Sequence, residues 1–302
     1  ADAMQPHCEQ SGLPPNWPAA AWAGTQVAPA DWAASAWAQG IEPHACALWH
    51  ARAAWVKPAA LVAAWLAQTG ISFQGGVRVA GLRYTHAQWE VLEPQGGVLA
   101  RAPRVVLANA QGAMPLLRQV QQCQPELDIS ADPLSSTHAA GGHVSWAWHT
   151  AQTQALFPPF PVNGAGSLIS RVPLGDQQAW FAGASYFNEG DAVWSDADKH
   201  AFNAKRLQTL LPALGQALAS QFERGQVQAW EGSRCVSADR LPLVGPVALG
   251  DDKGLWLCVA MGSRGLCFAP LCAELIAARW SGEPLPLERR LLRALAAQRS
   301  LE

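Results

Sequence analysis

The chain has 302 residues, enough for one large or two intergrown domains with a proper core. Half of its residues are hydrophobic and 15% are charged, a balance that argues against a disordered or fibrous chain. A formal net charge of −2 provides no bulk field that would select a nucleic acid or an anionic membrane as partner.

Residues 1–55 are rich in Pro, Ala and Trp with weak periodicity, and are expected to form short strands and loops packed onto other elements. The 15 Trp residues of the chain are read as core and interface packing rather than as a stacking surface for bases. From Lys57 the pattern sharpens. Pro58 suits a first helical position, Leu61, Trp65 and Leu66 share a face, and Gly70 is expected to close that helix. Ile71–Phe73 and Val77–Val79 read as strands. Trp89–Leu92, a Gly96-Gly97 turn and Val98–Ala100 predict a small antiparallel meander. Arg104–Ala108 reads as a strand buried on both faces, ended by Asn109-Ala110-Gln111-Gly112.

Between about Pro133 and Trp230 strand-like runs alternate with turns around one clear helix. Ser195 is placed to cap it, Asp198 stands in its first turn, and Phe202, Leu207, Leu210 and Leu211 form its apolar side. Leu255–Ala260 is a further strand, followed by the turn Gly262-Ser263-Arg264-Gly265. Pro270 is expected to open a last helix, with Leu271, Leu275 and Ala278 on one side and Gly282 at its end. Helix–strand alternation at both ends of a strand-rich middle predicts an α/β chain with an inserted sheet domain. Seven cysteines stand singly, without a C-x-x-C pair or a His cluster, so free thiols and no metal are expected. The apolar helix candidates around Leu61 and Leu275 are too short for a bilayer, and no basic segment followed by an apolar run opens the chain, so a cytoplasmic protein without membrane contact is expected.

Three features carry possible chemistry. The strand–turn–helix at Leu255–Ser281 offers a glycine turn and unpaired helix N–H groups to an anion, or is an ordinary connection. Arg234 stands between small residues ahead of Asp239-Arg240-Leu241-Pro242, where a guanidinium can grip a carboxylate by two parallel bonds; taken alone, a solvated Arg is the better reading. Arg279, Arg289, Arg290, Arg293 and Arg299 form a late basic run, read as a solvated helix face ahead of phosphate contacts. The sequence has no G-x-S-x-G, H-E-x-x-H, Walker A or complete G-x-G-x-x-G.

Several segments, in order, carry a resemblance. They are Val56–Leu61, Val105–Asn109, Gly183-Ala184-Ser185-Tyr186, Arg234 with Asp239–Gly245, and above all Gly262–Cys267, Ala269–Glu274 and Ser281–Pro286. Across residues 45–300 the chain resembles the C-terminal FAD-dependent oxidase domain of the bifunctional enzymes that make 5-methylaminomethyl-2-thiouridine in tRNA, within the glycine and D-amino-acid oxidase superfamily. The resemblance implies a Rossmann-like flavin domain with an antiparallel substrate domain threaded through it. It places residues 1–17, 53–120 and 231–302 in the first and 18–52 and 121–230 in the second.

It also implies FAD as cofactor and a wobble uridine of tRNA as substrate, whose carboxymethylaminomethyl group loses its carboxymethyl part by oxidation. A methyltransferase domain would be fused in the full-length parent. By resemblance Arg234 anchors the substrate carboxylate; Gly262, Ser263, Arg264, Gly265 and Leu266 face the flavin; Ala108 and Asn109 lie near its ribose and adenine. The resemblance begins downstream of the glycine-rich turn that grips the FAD pyrophosphate in this superfamily. The chain is therefore expected to be a fragment, its flavin-binding domain lacking the first βαβ unit. Two alternatives stand beside this one: an oxidase of glycine, sarcosine or a related small amine, and a cofactor-free, inactive fragment.

Overall fold

The computed structural model describes residues 25–27, 34–41, 48–50, 53–129, 137–188, 194–248 and 253–299. Cys8, Cys46 and residues 1–17, expected in the flavin-type domain, lie outside the described residues. The first strands are β1 (Thr25–Val27), β2 (Leu48–His50), β3 (Gly81–Thr85), β4 (Gln88–Leu92), β5 (Val98–Ala102) and β6 (Val105–Leu107), with helix α1 (Pro58–Leu66) between β2 and β3. Helix α2 (Ala113–Cys123) leads to β7 (Thr137–Trp148), β8 (Val162–Asn163), β9 (Ser167–Leu174) and β10 (Gln177–Asn188). Helices α3 (Asp196–Leu210) and α4 (Pro212–Glu223) precede β11 (Gln228–Ser237), β12 (Leu243–Pro246) and β13 (Leu255–Val259), and helices α5 (Gly265–Ser281) and α6 (Arg289–Leu295) close the chain. The chain is mixed α/β, as expected.

It divides into two compact units. One holds residues 1–71, 143–185 and 192–231, the other 72–142, 186–191 and 232–302. The long strands β7, β10 and β11 contribute residues to both, and the five-stranded sheet runs in the order β11-β7-β10-β9-β8.

In the first unit β9 and β10 pair antiparallel, and α3 and α4 supply the core over them. Trp180, Phe157, Leu207, Leu211, Leu214 and Leu218 are nearly or wholly buried there. Helix α3 begins as its sequence foretells: Ser195 Oγ accepts from the Asp198 N–H at 3.2 Å while Asp198 Oδ2 accepts from the Ser195 N–H at 3.2 Å. The sequence reading missed α4, which opens on Pro212 directly after α3. Pro58 stands in the first turn of α1, but the helix ends at Leu66, and Gly70, at φ +88°, lies in a turn beyond the cap. No residue of α1 is buried, and Trp65 is 38% exposed.

In the second unit β12-β13-β6 form a sheet in which β13 pairs antiparallel with β12 and parallel with β6. Leu255, Leu257 and Val259 face one core, shared with Leu82, Trp89, Leu117 and Val120. Trp256 faces the other, shared with Cys272, Leu275 and Ile276 of α5. That is the pattern of a strand covered on both sides. It was expected of Arg104–Ala108, but Val105 and Val106 of β6 are only half-buried, because among the described residues β6 has a strand neighbour on one side alone.

The meander is present, with β3 added to β4 and β5. Helix α2, absent from the sequence reading, closes the outer edge of β3. Gln119 Oε1 accepts from the Leu82 N–H at 2.8 Å, and Gln124 accepts from the Tyr84 N–H at 2.7 Å and donates to the Tyr84 carbonyl at 2.8 Å. Ile71–Phe73 and Val77–Val79 are not strands; Phe73 is 68% exposed, and among the described residues no neighbour pairs with their backbone to make a ladder. Among the described residues no helix is long and apolar enough to cross a membrane.

Candidate functional site

Ala108, Asn109, Arg234 and Gly262–Leu266, the site residues expected from the sequence, all fall in the second unit. Strands β6 and β13 run parallel with Leu107 opposite Leu257, so the segments leaving their carboxyl ends emerge side by side. Ala108 and Asn109 leave β6, both exposed, and lead into a 3-10 turn at Ala110–Gly112. Ala260 and Met261 leave β13 and lead into a second 3-10 turn, Gly262–Arg264, continuous with α5. The carboxyl ends of parallel strands are where open α/β sheets hold ligands.

Gly262 has φ +56°, and a Cβ there would meet nothing within 4 Å, so the turn demands glycine for its backbone while the space beside it is open. Among the described residues no side chain caps the start of α5, which follows directly on the 3-10 turn. Ser263 and Leu266 are exposed beside Gly265, the first helical residue. The helix opens there and not at Pro270, which lies inside it at a position where the missing N–H leaves one carbonyl of the preceding turn without its helical partner. At the far end Gly282, at φ +71°, ends α5 as expected.

Arg264 is already engaged. Its Nη2 donates to the Arg240 carbonyl at 2.6 Å and its guanidinium lies 5.0 Å from the centre of the Phe268 ring. It ties the turn to the Asp239–Pro242 loop. That loop is fixed from the other side by Arg299, whose Nε and Nη2 reach the two oxygens of Asp239 at 2.9 Å each and whose Nη1 reaches the Pro242 carbonyl at 2.8 Å. Burial pushes the Asp239 carboxyl up, but the Arg299 fork, the Leu241 N–H and the Ser237 hydroxyl outweigh it and hold it below the usual range. Arg299 is thus not part of a solvated helix face; its side chain is 9% exposed and braces the loop.

Arg234 lies on β11, on the face opposite Cys235 and Ser237, both buried. Two residues on, Val236 forms a bridge with Met261, which draws β11 against the start of the glycine turn. The Arg234 guanidinium lies 5.5 Å from the centre of the Tyr186 ring. Among the described residues no carboxylate pairs with it. Tyr186, to which the sequence reading gave no role, is 59% exposed. An exposed aromatic under an unpaired guanidinium is a tertiary coincidence, and only the resemblance marked that segment.

Residues 12–279 match the family described as FAD dependent oxidoreductase. The chain belongs to this family. It is 52% identical over 259 residues to the tRNA 5-methylaminomethyl-2-thiouridine biosynthesis bifunctional protein of Albidiferax ferrireducens, covering 84% of this chain and 42% of that protein. The protein of the same name from Verminephrobacter eiseniae is 42% identical over 315 residues, covering 95% and 48%. The chain therefore spans less than half the length of these relatives.

Among solved structures it is similar to glycine oxidase from Geobacillus kaustophilus, with a TM-score of 0.57 at 18% identity over 81% of this chain and 58% of that one. It is also similar to L-amino acid deaminase from Proteus vulgaris, with a TM-score of 0.58 at 14% identity over 92% and 64%. The glycine-oxidase-like fold expected from the sequence is borne out. The family implies FAD, and the residues present fit part of it: the space beside the Gly262 backbone is open, no described side chain caps the start of α5, and β6 runs parallel beside β13 ahead of both. The sequence contains no complete G-x-G-x-x-G for the pyrophosphate.

Proposed function

We propose that this chain is the amine-oxidising part of an FAD-dependent enzyme that removes the carboxymethyl part of the carboxymethylaminomethyl group on a wobble uridine of tRNA. The relatives, named for biosynthesis of 5-methylaminomethyl-2-thiouridine in tRNA, support the substrate. The observation that carries the chemistry is Arg234: a guanidinium that among the described residues has no carboxylate partner, resting on an exposed Tyr186 ring and joined through the Val236–Met261 bridge to the glycine turn. A carboxymethylamino group is an N-substituted glycine, and its carboxylate is the partner that Arg234 lacks.

When bound, FAD supplies a hydride acceptor for the carbon next to the amine nitrogen. The first-turn N–H groups of α5 and the Gly262–Leu266 backbone are fixed dipoles that favour negative charge beside them. Ala108 and Asn109 lie on the ribose and adenine side. Arg264, occupied with the Arg240 carbonyl, holds the turn in place. We place the flavin-holding part in residues 1–17, 53–120 and 231–302 and the substrate-holding part in 18–52 and 121–230, with a methyltransferase fused in the parent protein. A free small amine such as glycine or sarcosine is the second reading, favoured by the net charge of −2, since tRNA phosphates call for a basic surface.

The test replaces the matched 259 residues of the Albidiferax ferrireducens relative by this chain and measures kcat/KM on tRNA bearing the carboxymethylaminomethyl group, with glycine as the small control. Removing one partner of a desolvated charge pair costs about 2–5 kcal/mol, so Arg234→Ala should lower kcat/KM roughly 30-fold or more. Arg234→Lys should recover only part, because lysine keeps the charge and loses the planar fork. Unchanged kcat/KM for Arg234→Ala on both substrates would remove this residue from the site.

A further inference from the structure

Strand β7 carries two adjacent buried glycines, Gly141 and Gly142. Neighbouring residues of a strand face opposite sides, so each glycine leaves room for something different. A Cβ at Gly141 would collide with the Phe187 ring. A Cβ at Gly142 would stand 2.8 Å from Arg234 Nη1 and 3.6 Å from Arg234 Cζ and Nη2, its three nearest neighbours. Gly142 has no positive φ, so its backbone does not call for glycine. What calls for it is the guanidinium.

We infer that Gly142 is a positioning residue for Arg234. The missing side chain forms the seat in which the guanidinium lies, and the Tyr186 ring is the face on which it rests. Seat and face together fix the direction in which Arg234 offers its paired N–H donors. The inference rests on the carboxylate reading of Arg234 and adds a determinant of substrate placement that touches neither substrate nor flavin. A guanidinium ends a flexible side chain, so an added methyl moves it and not the strand. Stability is then spared and alignment is lost. A displacement of about 1 Å in a positioning group costs up to roughly 100-fold.

The chain contains two tyrosines, Tyr84 and Tyr186, which makes ring-labelled tyrosine a clean reporter by NMR. Tyr84 packs with Trp89 in the meander and serves as the internal reference. In the ligand-free chain Gly142→Ala should shift the Tyr186 ring signals, leave those of Tyr84 in place, and keep the melting temperature. In a background of Arg234→Ala the same substitution should shift nothing further, because the methyl then has no guanidinium to displace.

Titration with N-methylglycine, a minimal N-substituted glycine, should move the Tyr186 signals in the wild-type chain. Its midpoint should rise about 10-fold or more in Gly142→Ala, and the response should vanish in Arg234→Ala. Unmoved Tyr186 signals in Gly142→Ala, or an early-melting or unfolded variant, overturn the seat. A wild-type titration that moves neither tyrosine, with the ligand-free shift intact, overturns the carboxylate reading instead.

Discussion

His143 and His200 meet edge to face at 4.7 Å in the first unit, inside a polar network that the proposed chemistry does not use. Ser145 Oγ lies 2.8 Å from His200 Nδ1, and the Asn203 amide donates toward Ser145 Oγ at 3.1 Å and the His143 carbonyl at 3.2 Å. His143, Ser145 and Asn203 are buried, and the bonds fasten α3 to β7. Burial holds both imidazoles below the usual histidine range; each also lowers through positive neighbours, His200 and Lys199 for His143 and Lys199 for His200. Asp196 raises both, and Glu231 raises His143, without reversing the direction.

A lowered folded pKa means that the unfolded chain binds more protons. The stabilisation is therefore complete above about pH 6.5 and is lost as pH falls toward the depressed folded values. Melting temperature should fall between about pH 7.5 and pH 5.5. His200→Gln should flatten that slope, and a melting temperature that rises on acidification would contradict the account.

At the scale of elements, the start of α5 shows how one turn sets opposite demands on two glycines three residues apart. Gly262 sits at φ +56° with open space around it, so Gly262→Ala carries a purely conformational cost of about 1–2 kcal/mol. Gly265 is helical at φ −55°, and its added Cβ would make an ordinary 3.6 Å contact with Met261. Gly265→Ala should therefore stabilise by about 0.4–1 kcal/mol through the unfolded chain. Thermal unfolding of the two variants should move in opposite directions, and a like sign would mean that the turn is not built this way.

The sequence foretold the helices whose ends are local, such as α3 with its capping box and α5 with its terminal Gly282. It missed α2 and α4. Helix α2 lies on the meander, and its Gln119 with Gln124 just past its end give their side chains to β3, partners at distant positions that no local pattern announces. It also read Ile71–Phe73 and Val77–Val79 as strands on β-branched composition, but composition cannot supply the pairing partner a strand needs.

For the whole molecule, two consequences follow from exposed surface and from cofactor recognition. Val56, Val62, Trp65, Ile71, Phe73, Val77 and Val79 fall in one stretch of sequence and are each at least 38% exposed. Among the described residues β6 also leaves one edge without a strand partner. Apolar exposure and open edges both invite association. Light scattering should report concentration-dependent self-association, reduced by Val62→Lys with Trp65→Lys; a strict monomer across a wide concentration range would count against it.

The absence of a complete G-x-G-x-x-G leaves the pyrophosphate of FAD without its usual cradle. The isolated chain should purify without stoichiometric FAD and bind it weakly when titrated by flavin fluorescence. Tight one-to-one binding would show that the Gly262 turn and its neighbours suffice.

The sequence by itself determined the family-bearing segments, the strand–turn–helix of the glycine turn and the presence of Arg234, because each rests on residues close together in the chain. Only the tertiary structure decided how they meet. The parallel pairing of β6 with β13 joins residues about 150 positions apart and so sets Leu107 beside Leu257, near the ends of both strands. The Val236–Met261 bridge brings Arg234 to the glycine turn, Arg299 returns from the chain's end to hold Asp239, and Gly142 opens its seat from a third strand. Long-range pairing and packing, which select among many locally acceptable arrangements, leave no periodic mark in a single sequence, and this site is assembled from them.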